Sequence, residues 1–187
     1  MIFGRKKNSA NPFKDVNESD FYYDAVMWAL QKGIPKGVDK ERFEPHSGCT
    51  RGEVVTFLWR AMGCPDVKTE KSPFIDVKET DYCFKAVMWA VENKIGSPIS
   101  ERIFAANASC SRAQFVTFLH RAAGSPAPVN REHAFVDVKD TDFFYDAVLW
   151  AVEQGITSGV GEGAFGPYTL CNRDQVITFM YRYFGKE

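Results

Sequence analysis

Apolar residues recur along the chain with the spacing of amphipathic helices. In the segment Phe21–Gln31, the residues Tyr22, Ala25, Val26 and Ala29 stand at i, i+3, i+4 and i+7, which places them on one helical face. No stretch of any length alternates between apolar and polar residues as a half-buried strand would. The pattern therefore predicts an all-α fold.

A second helix is predicted to begin after Thr50, which stands where an N-cap belongs. Gly33 is suited to end the first helix, because glycine readily adopts the left-handed conformation that follows many helices. The Gly- and Pro-rich loop between the two helices contains Phe43 as its expected apolar anchor. On the second helix we expect four residues to be buried: Val54, Val55, Leu58 and Met62.

This pair of helices occurs three times, with an invariant spacing. Phe13, Phe74 and Phe135 each open a Phe-x-Asp-Val sequence and are 61 residues apart. Fixed spacing without insertion or deletion is typical of structurally equivalent units. The same interval separates the members of four further sets, one of tryptophans, one of cysteines and two of arginines. These are Trp28, Trp89 and Trp150; Cys49, Cys110 and Cys171; Arg51, Arg112 and Arg173; and Arg60, Arg121 and Arg182.

The repeat divides the chain into a leader, residues 1–12, and three units, residues 13–66, 67–127 and 128–187. One such unit buries too little apolar surface to be stable alone. The last unit is as apolar as the first, whereas an open array of repeats needs polar ends. We therefore expect a monomer in which three helix–loop–helix units pack as a closed pseudo-threefold bundle.

The second helix of each unit opens with a capping box, a Ser, Thr or Asn followed three residues later by Glu or Gln. An arginine follows each cap, although a cation at this position faces the positive end of the helix dipole at a cost of about 0.3–1 kcal/mol. A ligand anion held by free backbone N–H groups and the guanidinium would compensate it, and so would an internal ion pair. The arginines are Arg51, Arg112 and Arg173, and the internal partners considered are Asp15, Asp76 and Asp137.

The unit resembles the S-layer homology repeat in several motifs: Phe-x-Asp-Val, an aromatic-rich helix, Gly-Ile-x-x-Gly and Phe-x-Pro. The family's final Thr-Arg-Ala-Glu or Thr-Arg-Ala-Gln is matched by Thr50-Arg51-Gly52-Glu53, Ser111-Arg112-Ala113-Gln114 and Asn172-Arg173-Asp174-Gln175. The likeness covers residues 13–185. It implies a three-pronged pseudotrimer whose grooves bind an anionic secondary cell-wall polymer linked to peptidoglycan, often ending in a pyruvylated amino sugar. The resemblance assigns the anion to Arg51, Arg112 and Arg173.

Loop glycines are expected at the sugar, because Gly37 and Gly159 would allow the backbone to approach it closely. Repeat 2 departs from the pattern, with Lys94 at the expected glycine after the helix and Ala106 in place of a proline. We therefore expect its loop to follow another path and Arg112 to matter less than the other two arginines.

Other repeated side chains have two interpretations each. Asp15, Asp76 and Asp137 could accept sugar hydroxyls, but a cap or turn role is favoured. The three tryptophans could stack on sugars, but their helical spacing favours the core. The repeated cysteines are expected to be small buried hydrophobes, and all five cysteines free thiols.

Composition excludes several functions. A net charge of −1 does not favour a nucleic acid duplex, and apolar runs such as Ala86–Val91 are too short to insert into a membrane. No catalytic, cofactor or metal signature is present. We expect a cell-surface location by resemblance. A cytoplasmic protein that binds a soluble anionic metabolite or nucleotide, or that acts as a scaffold, is the alternative if Met1 is the native start, since no signal peptide is visible.

Overall fold

The computed structural model describes residues 11–35 and 37–186, and all regular secondary structure in that part is helical. The prediction of an all-α fold is confirmed, and the helices begin or end within two residues of the predicted limits. Most of the predicted leader lies outside the described residues. The helices are α1 (Tyr23–Gln31), α2 (Arg51–Ala61), α3 (Phe84–Glu92), α4 (Arg112–Ala122), α5 (Tyr145–Glu153) and α6 (Arg173–Phe184).

The principal helix pairs form between repeats and not within them. Helix α2 of repeat 1 packs against α3 of repeat 2, and α4 of repeat 2 packs against α5 of repeat 3. Helix α6 then packs against α1, which joins the last repeat to the first. The ring of repeats is thus closed, as expected, and its principal helix pairs join neighbouring repeats.

The three repeated cysteines lie at the pseudo-threefold axis. Cys110 N donates to Cys49 O at 2.8 Å, Cys171 N donates to Cys110 O at 2.9 Å, and Cys49 N donates to Cys171 O at 2.9 Å. These three bonds form a cycle in which each repeat donates once and accepts once. The backbone therefore supplies the symmetric centre, and the thiols remain unpaired.

The predicted apolar faces form one continuous core. Tyr22, Ala25, Val26 and Ala29 are buried as expected, and so are Phe43, Val54, Val55 and Leu58. Met62 is exposed, contrary to expectation, because α2 ends at Ala61 and Met62 is its C-cap. No helix in the described part of the chain is both long and apolar enough to cross a membrane.

The loop of repeat 2 leaves its helix in the same way as the other two loops. Lys94 has a φ of 57°, close to the 67° of both Gly33 and Gly155. Ile95 N donates to Ala90 O, as the equivalent isoleucines do in the other repeats. The prediction of another path at Lys94 is wrong, because the shared hydrogen bonds hold a lysine in the left-handed conformation despite a cost of about 1–2 kcal/mol.

The accessibility of the thiols gives a direct test of this packing. Cys64 is exposed and the other four cysteines are buried, and burial raises the pKa of Cys171 to about 12. Since the thiolate is the reactive form, we expect one thiol to react rapidly with a disulfide reagent in the native protein and five after unfolding. Fewer than five thiols in the unfolded, unreduced protein would reveal a disulfide and contradict the cysteine geometry.

Candidate functional site

The capping boxes predicted for the second helices are present. Thr50 Oγ1 accepts from Glu53 N at 3.2 Å while Glu53 Oε2 accepts from Thr50 N at 2.8 Å. Ser111 and Gln114 make the same two bonds at α4. At α6, Gln175 Oε1 accepts from Asn172 N at 3.4 Å. Local capping therefore fixes where each of these helices begins.

The next two N–H groups of each helix bind the neighbouring repeat. Arg51 N donates to Ala108 O at 2.9 Å and Gly52 N donates to Ala106 O at 2.8 Å. Together with the cap, these bonds use the N–H groups that a free helix end offers to an anion. These helix starts therefore offer no free backbone N–H groups of the kind that one of the two interpretations required. The same bonds at the other two helices join Arg112 to Thr169, Ala113 to Pro167, Arg173 to Ser47 and Asp174 to Pro45.

The arginine side chains reach the next repeat as well. Their residues are only 2–4% exposed. Arg51 Nε donates to Phe104 O at 3.2 Å, Arg112 Nε donates to Phe165 O at 3.0 Å, and Arg173 Nε donates to Phe43 O at 2.9 Å. Each guanidinium also lies 4.8–4.9 Å from the ring centre of that phenylalanine. The arginines are thus inter-repeat links.

The three aspartates hold the same phenylalanine loops from the other side. Asp15 Oδ1 accepts from Phe43 N at 2.9 Å and Asp15 Oδ2 accepts from Glu44 N at 2.7 Å. Asp76 and Asp137 hold the loops of repeats 2 and 3 in the same manner. None of the three forms a salt bridge with these arginines in the described residues. The aspartates thus have a structural role, but the bonds act over 28 to 30 residues and not within the local cap or turn that the sequence favoured.

A second row of arginines, near the C-terminal ends of the same helices, points at the loop of its own repeat. Arg60 Nη1 donates to Ile34 O at 2.8 Å, and Arg182 Nη1 donates to Ile156 O at 2.9 Å. Arg121 Nη1 lies 3.2 Å from Ser97 Oγ. The 61-residue interval marked these arginines, but the sequence did not show that they meet the first row.

The two rows of arginine converge in a groove between repeats. One such groove, a cavity of about 270 Å³, contains Arg173 from repeat 3 and Arg60 and Glu53 from repeat 1. Glu53 Oε1 accepts from Arg173 Nη1 at 3.2 Å, so the groove keeps one net positive charge. Burial lowers the pKa of the Arg51 and Arg112 guanidinium groups, as expected for cations removed from water. We call this cavity the Arg173 groove; it is lined by Gly37, Glu53, Thr56, Phe57, Arg60, Tyr82 and Arg173.

Gly37 is required by the packing of the loop itself. Its φ is 73°, and a Cβ there would lie 2.6 Å from both Asp39 O and Phe13 Cε1. Gly159 is constrained in the same way, since a Cβ would lie 2.6 Å from Ala164 O. Gly37 lines the groove as predicted, and its backbone conformation has a structural cause.

An exposed aromatic residue of the following repeat, which the sequence analysis missed, lies at the edge of the groove. Tyr82 is 62% exposed, and the equivalent residues Phe143 and Phe21 are 67% and 71% exposed. All three stand 61 residues apart around the closed ring and immediately precede a buried residue. The sequence signal that could have identified them is an aromatic residue at the equivalent position of each repeat. Trp89 and Trp150 are instead buried in the core, and Trp28 is partly buried.

Because the arginines reach the next repeat, the altered loop of repeat 2 lies in the groove of Arg51 and not in that of Arg112. Arg51 Nη2 donates to Ser97 O at 2.7 Å, so repeat 2's loop forms the groove of Arg51. Arg112 instead reaches Thr157 Oγ1 at 3.1 Å, beside Gly159. The expectation that Arg112 is the weakest arginine assumed the loop of its own repeat, and the structure contradicts that assumption.

Comparisons with known proteins agree with the repeat. The chain is 26% identical over 156 residues to a cell surface protein of Thermoanaerobacter kivui, covering 81% of this chain and 19% of that protein. It is 28% identical over 152 residues to the S-layer protein sap of Bacillus anthracis, covering 80% and 18%. It is 30% identical over 115 residues to an endoglucanase of Bacillus sp. (strain KSM-635), covering 62% and 12%. The chain thus spans less than a fifth of the length of each of these relatives.

The S-layer homology domain family matches residues 12–55, 73–116 and 134–177, one segment in each repeat. Each matched segment contains a Phe-x-Asp-Val sequence, the first helix, the loop and the capping box with its arginine. The three matches together cover most of the chain, and they contain both the phenylalanine loops and the arginines that bind them. The chain therefore belongs to the S-layer homology domain family, in three tandem copies.

Proposed function

We propose that the chain is a non-catalytic module that anchors to the cell wall by binding an anionic, pyruvylated glycan in its inter-repeat grooves. Family membership and the cell-surface relatives support wall anchoring. The observation that supports an anionic ligand is the convergence of Arg60 and Arg173 in one groove beside the exposed ring of Tyr82. A guanidinium binds carboxylate in a planar fork, while an aromatic face packs against the C–H face of a sugar.

The Arg173 groove has the dimensions and donors for one sugar. Its volume of about 270 Å³ lies just below the range typical of small-ligand sites. Nε and Nη2 of Arg60 have no hydrogen-bond partner among residues 11–35 and 37–186, so they are available to a ligand. In that part of the chain, Thr178 Oγ1 is the one side-chain polar atom that is both fully buried and without a hydrogen-bond partner. Nε and Nη2 of Arg60 have no partner either, so they are accessible to solvent.

The same groove is unsuited to glycoside hydrolysis, which uses two carboxyl groups flanking the scissile bond. Of the residues that the structure describes, Glu53 is the one carboxylate that lines the groove, and it already accepts from Thr50 and Arg173. The endoglucanase relative is matched over 12% of its length, so its activity does not transfer to this chain. Binding without catalysis is the proposal that the side chains support.

Sedimentation with purified cell walls tests the proposal. We expect the chain to sediment with walls that retain the pyruvylated secondary polymer and to remain in solution with walls from which that polymer has been extracted. Free polymer should compete for binding. Equal binding to both preparations, or to neither, would overturn the proposal.

The first mutational prediction concerns stability. Arg173→Ala removes the donors to Phe43 O and Glu53, which leaves a buried carbonyl unpaired at a cost of about 2 kcal/mol or more. Urea unfolding should show this loss, whereas the exposed Lys85→Ala should change the free energy of unfolding by less than about 0.5 kcal/mol. Equal unfolding midpoints for the two variants would contradict the inter-repeat link.

The second prediction tests the charge of the ligand with a variant that leaves the fold intact. Glu53→Gln keeps the capping box, which repeats 2 and 3 build with Gln114 and Gln175, but removes the negative charge beside Arg173. We expect affinity for a pyruvylated sugar to rise about five-fold in low salt, by about 1 kcal/mol, and the gain to shrink as salt increases. Unchanged or weaker binding by calorimetry would contradict an anion next to Arg173.

The third prediction ranks the grooves with exposed residues that the fold does not need. Tyr82→Ala and Phe21→Ala should each weaken wall binding by about 1 kcal/mol, because an aromatic contact is lost in a groove with a glycine loop. Phe143→Ala is the matched control, since its groove contains Arg51 and Pro98 stands at the position of Gly37. A larger loss for Phe143→Ala than for the other two variants would reverse this ranking.

A further inference from the structure

A second and larger cavity opens where the C-terminal ends of α1, α2 and α6 meet. Its volume is about 580 Å³. Trp28, Tyr183 and Phe184 supply aromatic surface, and Lys32 and Arg60 supply two positive charges. Among the described residues, no carboxylate lines it. We call this cavity the Trp28 pocket.

The internal repeat does not account for this pocket. Trp89 and Trp150 are each 3% exposed, whereas Trp28 is only partly buried and lines the cavity. Lys32 is replaced by Asn93 in repeat 2 and by Gln154 in repeat 3, so its charge is particular to repeat 1. The aromatic pair at the end of α6 is equally particular: the positions of Tyr183 and Phe184 are occupied by Ala61 and Met62 in α2 and by Ala122 and Ala123 in α4.

The Trp28 pocket adjoins the Arg173 groove. Arg60 lines both cavities, and its Nη1 donates to Ile34 O, a residue that also lines the Trp28 pocket. A ligand that contacts Arg60 in the groove therefore lies next to the pocket. Both cavities have net positive charge, so a chain of anionic residues suits them together.

We propose that the Trp28 pocket is a second subsite, which binds the next sugar residue of the anionic glycan whose terminal residue lies in the Arg173 groove. This rests on the proposed function. The aromatic side chains of Trp28 and Tyr183 line the pocket and offer apolar surface to a sugar, and Lys32 and Arg60 offer charged donors to its carboxylate or phosphate. The two subsites together select a polymer over a free monosaccharide.

Two ligands and two variants test the subsite. The ligands are the methyl glycoside of the pyruvylated amino sugar and the terminal disaccharide of the pyruvylated wall polymer, each titrated by calorimetry. Lys32→Gln substitutes the residue found in repeat 3, and Tyr183→Ala substitutes the residue found in α2 and α4. Lys85→Gln, which removes an exposed lysine of α3, is the charge-matched control.

We expect the wild-type chain to bind the disaccharide more tightly than the monosaccharide. Lys32→Gln should weaken disaccharide binding about five-fold and Tyr183→Ala about ten-fold, while neither changes monosaccharide binding. Lys85→Gln should change neither. Because the Tyr183 ring also packs against Trp150, circular dichroism melts would show whether Tyr183→Ala remains folded. If it does not, Lys32→Gln tests the subsite alone.

Other results would overturn the inference. Equal affinity for the two ligands, or equal losses for both ligands in Lys32→Gln, would remove the second subsite and leave the groove function intact. Absence of binding by both ligands would overturn the proposed function and this inference together.

Discussion

The fold depends on one buried interaction, in which an arginine at the start of a helix donates to a phenylalanine carbonyl of the next repeat. Burying a guanidinium has a large desolvation cost, and Arg173 offsets it with hydrogen bonds to Phe43 O and Glu53 and with the ring of Phe43. Asp15 holds the backbone N–H of the same phenylalanine. Because each repeat supplies the arginine for one neighbour and the loop for another, no repeat is complete alone, and the ring must close.

The proposed binding site follows from the same constraint. An arginine that crosses between repeats necessarily ends in the crevice where they meet, and there Arg60 of the receiving repeat already points at its own loop. Positive charge therefore accumulates in the crevice between repeats, at an interface that the fold needs for its stability. Substitution of an exposed side chain with few contacts, such as Tyr82, consequently reports ligand binding more specifically than substitution of the arginines, which also stabilise the fold.

The sequence predicted what local chemistry determines. The apolar face of α1 and the capping box at Thr50 depend on neighbours within a few residues, and both were confirmed. Pairing between repeats was not predictable, since an invariant period places Arg51 equally well beside its own loop or the next one. The prediction for Lys94 failed for a related reason: hydrogen bonds of the fold outweigh a local preference of about 1–2 kcal/mol. The groove combines residues of three repeats, which no local pattern reveals.

The central claim is that an anionic sugar binds at the inter-repeat arginines. It is tested most directly by following the guanidinium N–H signals of ¹⁵N-labelled protein in a nuclear magnetic resonance titration with the pyruvylated amino-sugar glycoside. We expect saturable shifts of the Arg60 and Arg173 signals together with the ring of Tyr82, and no shifts with the matching sugar that lacks the pyruvyl group. Shifts confined to other residues, or equal shifts with the uncharged sugar, would contradict it.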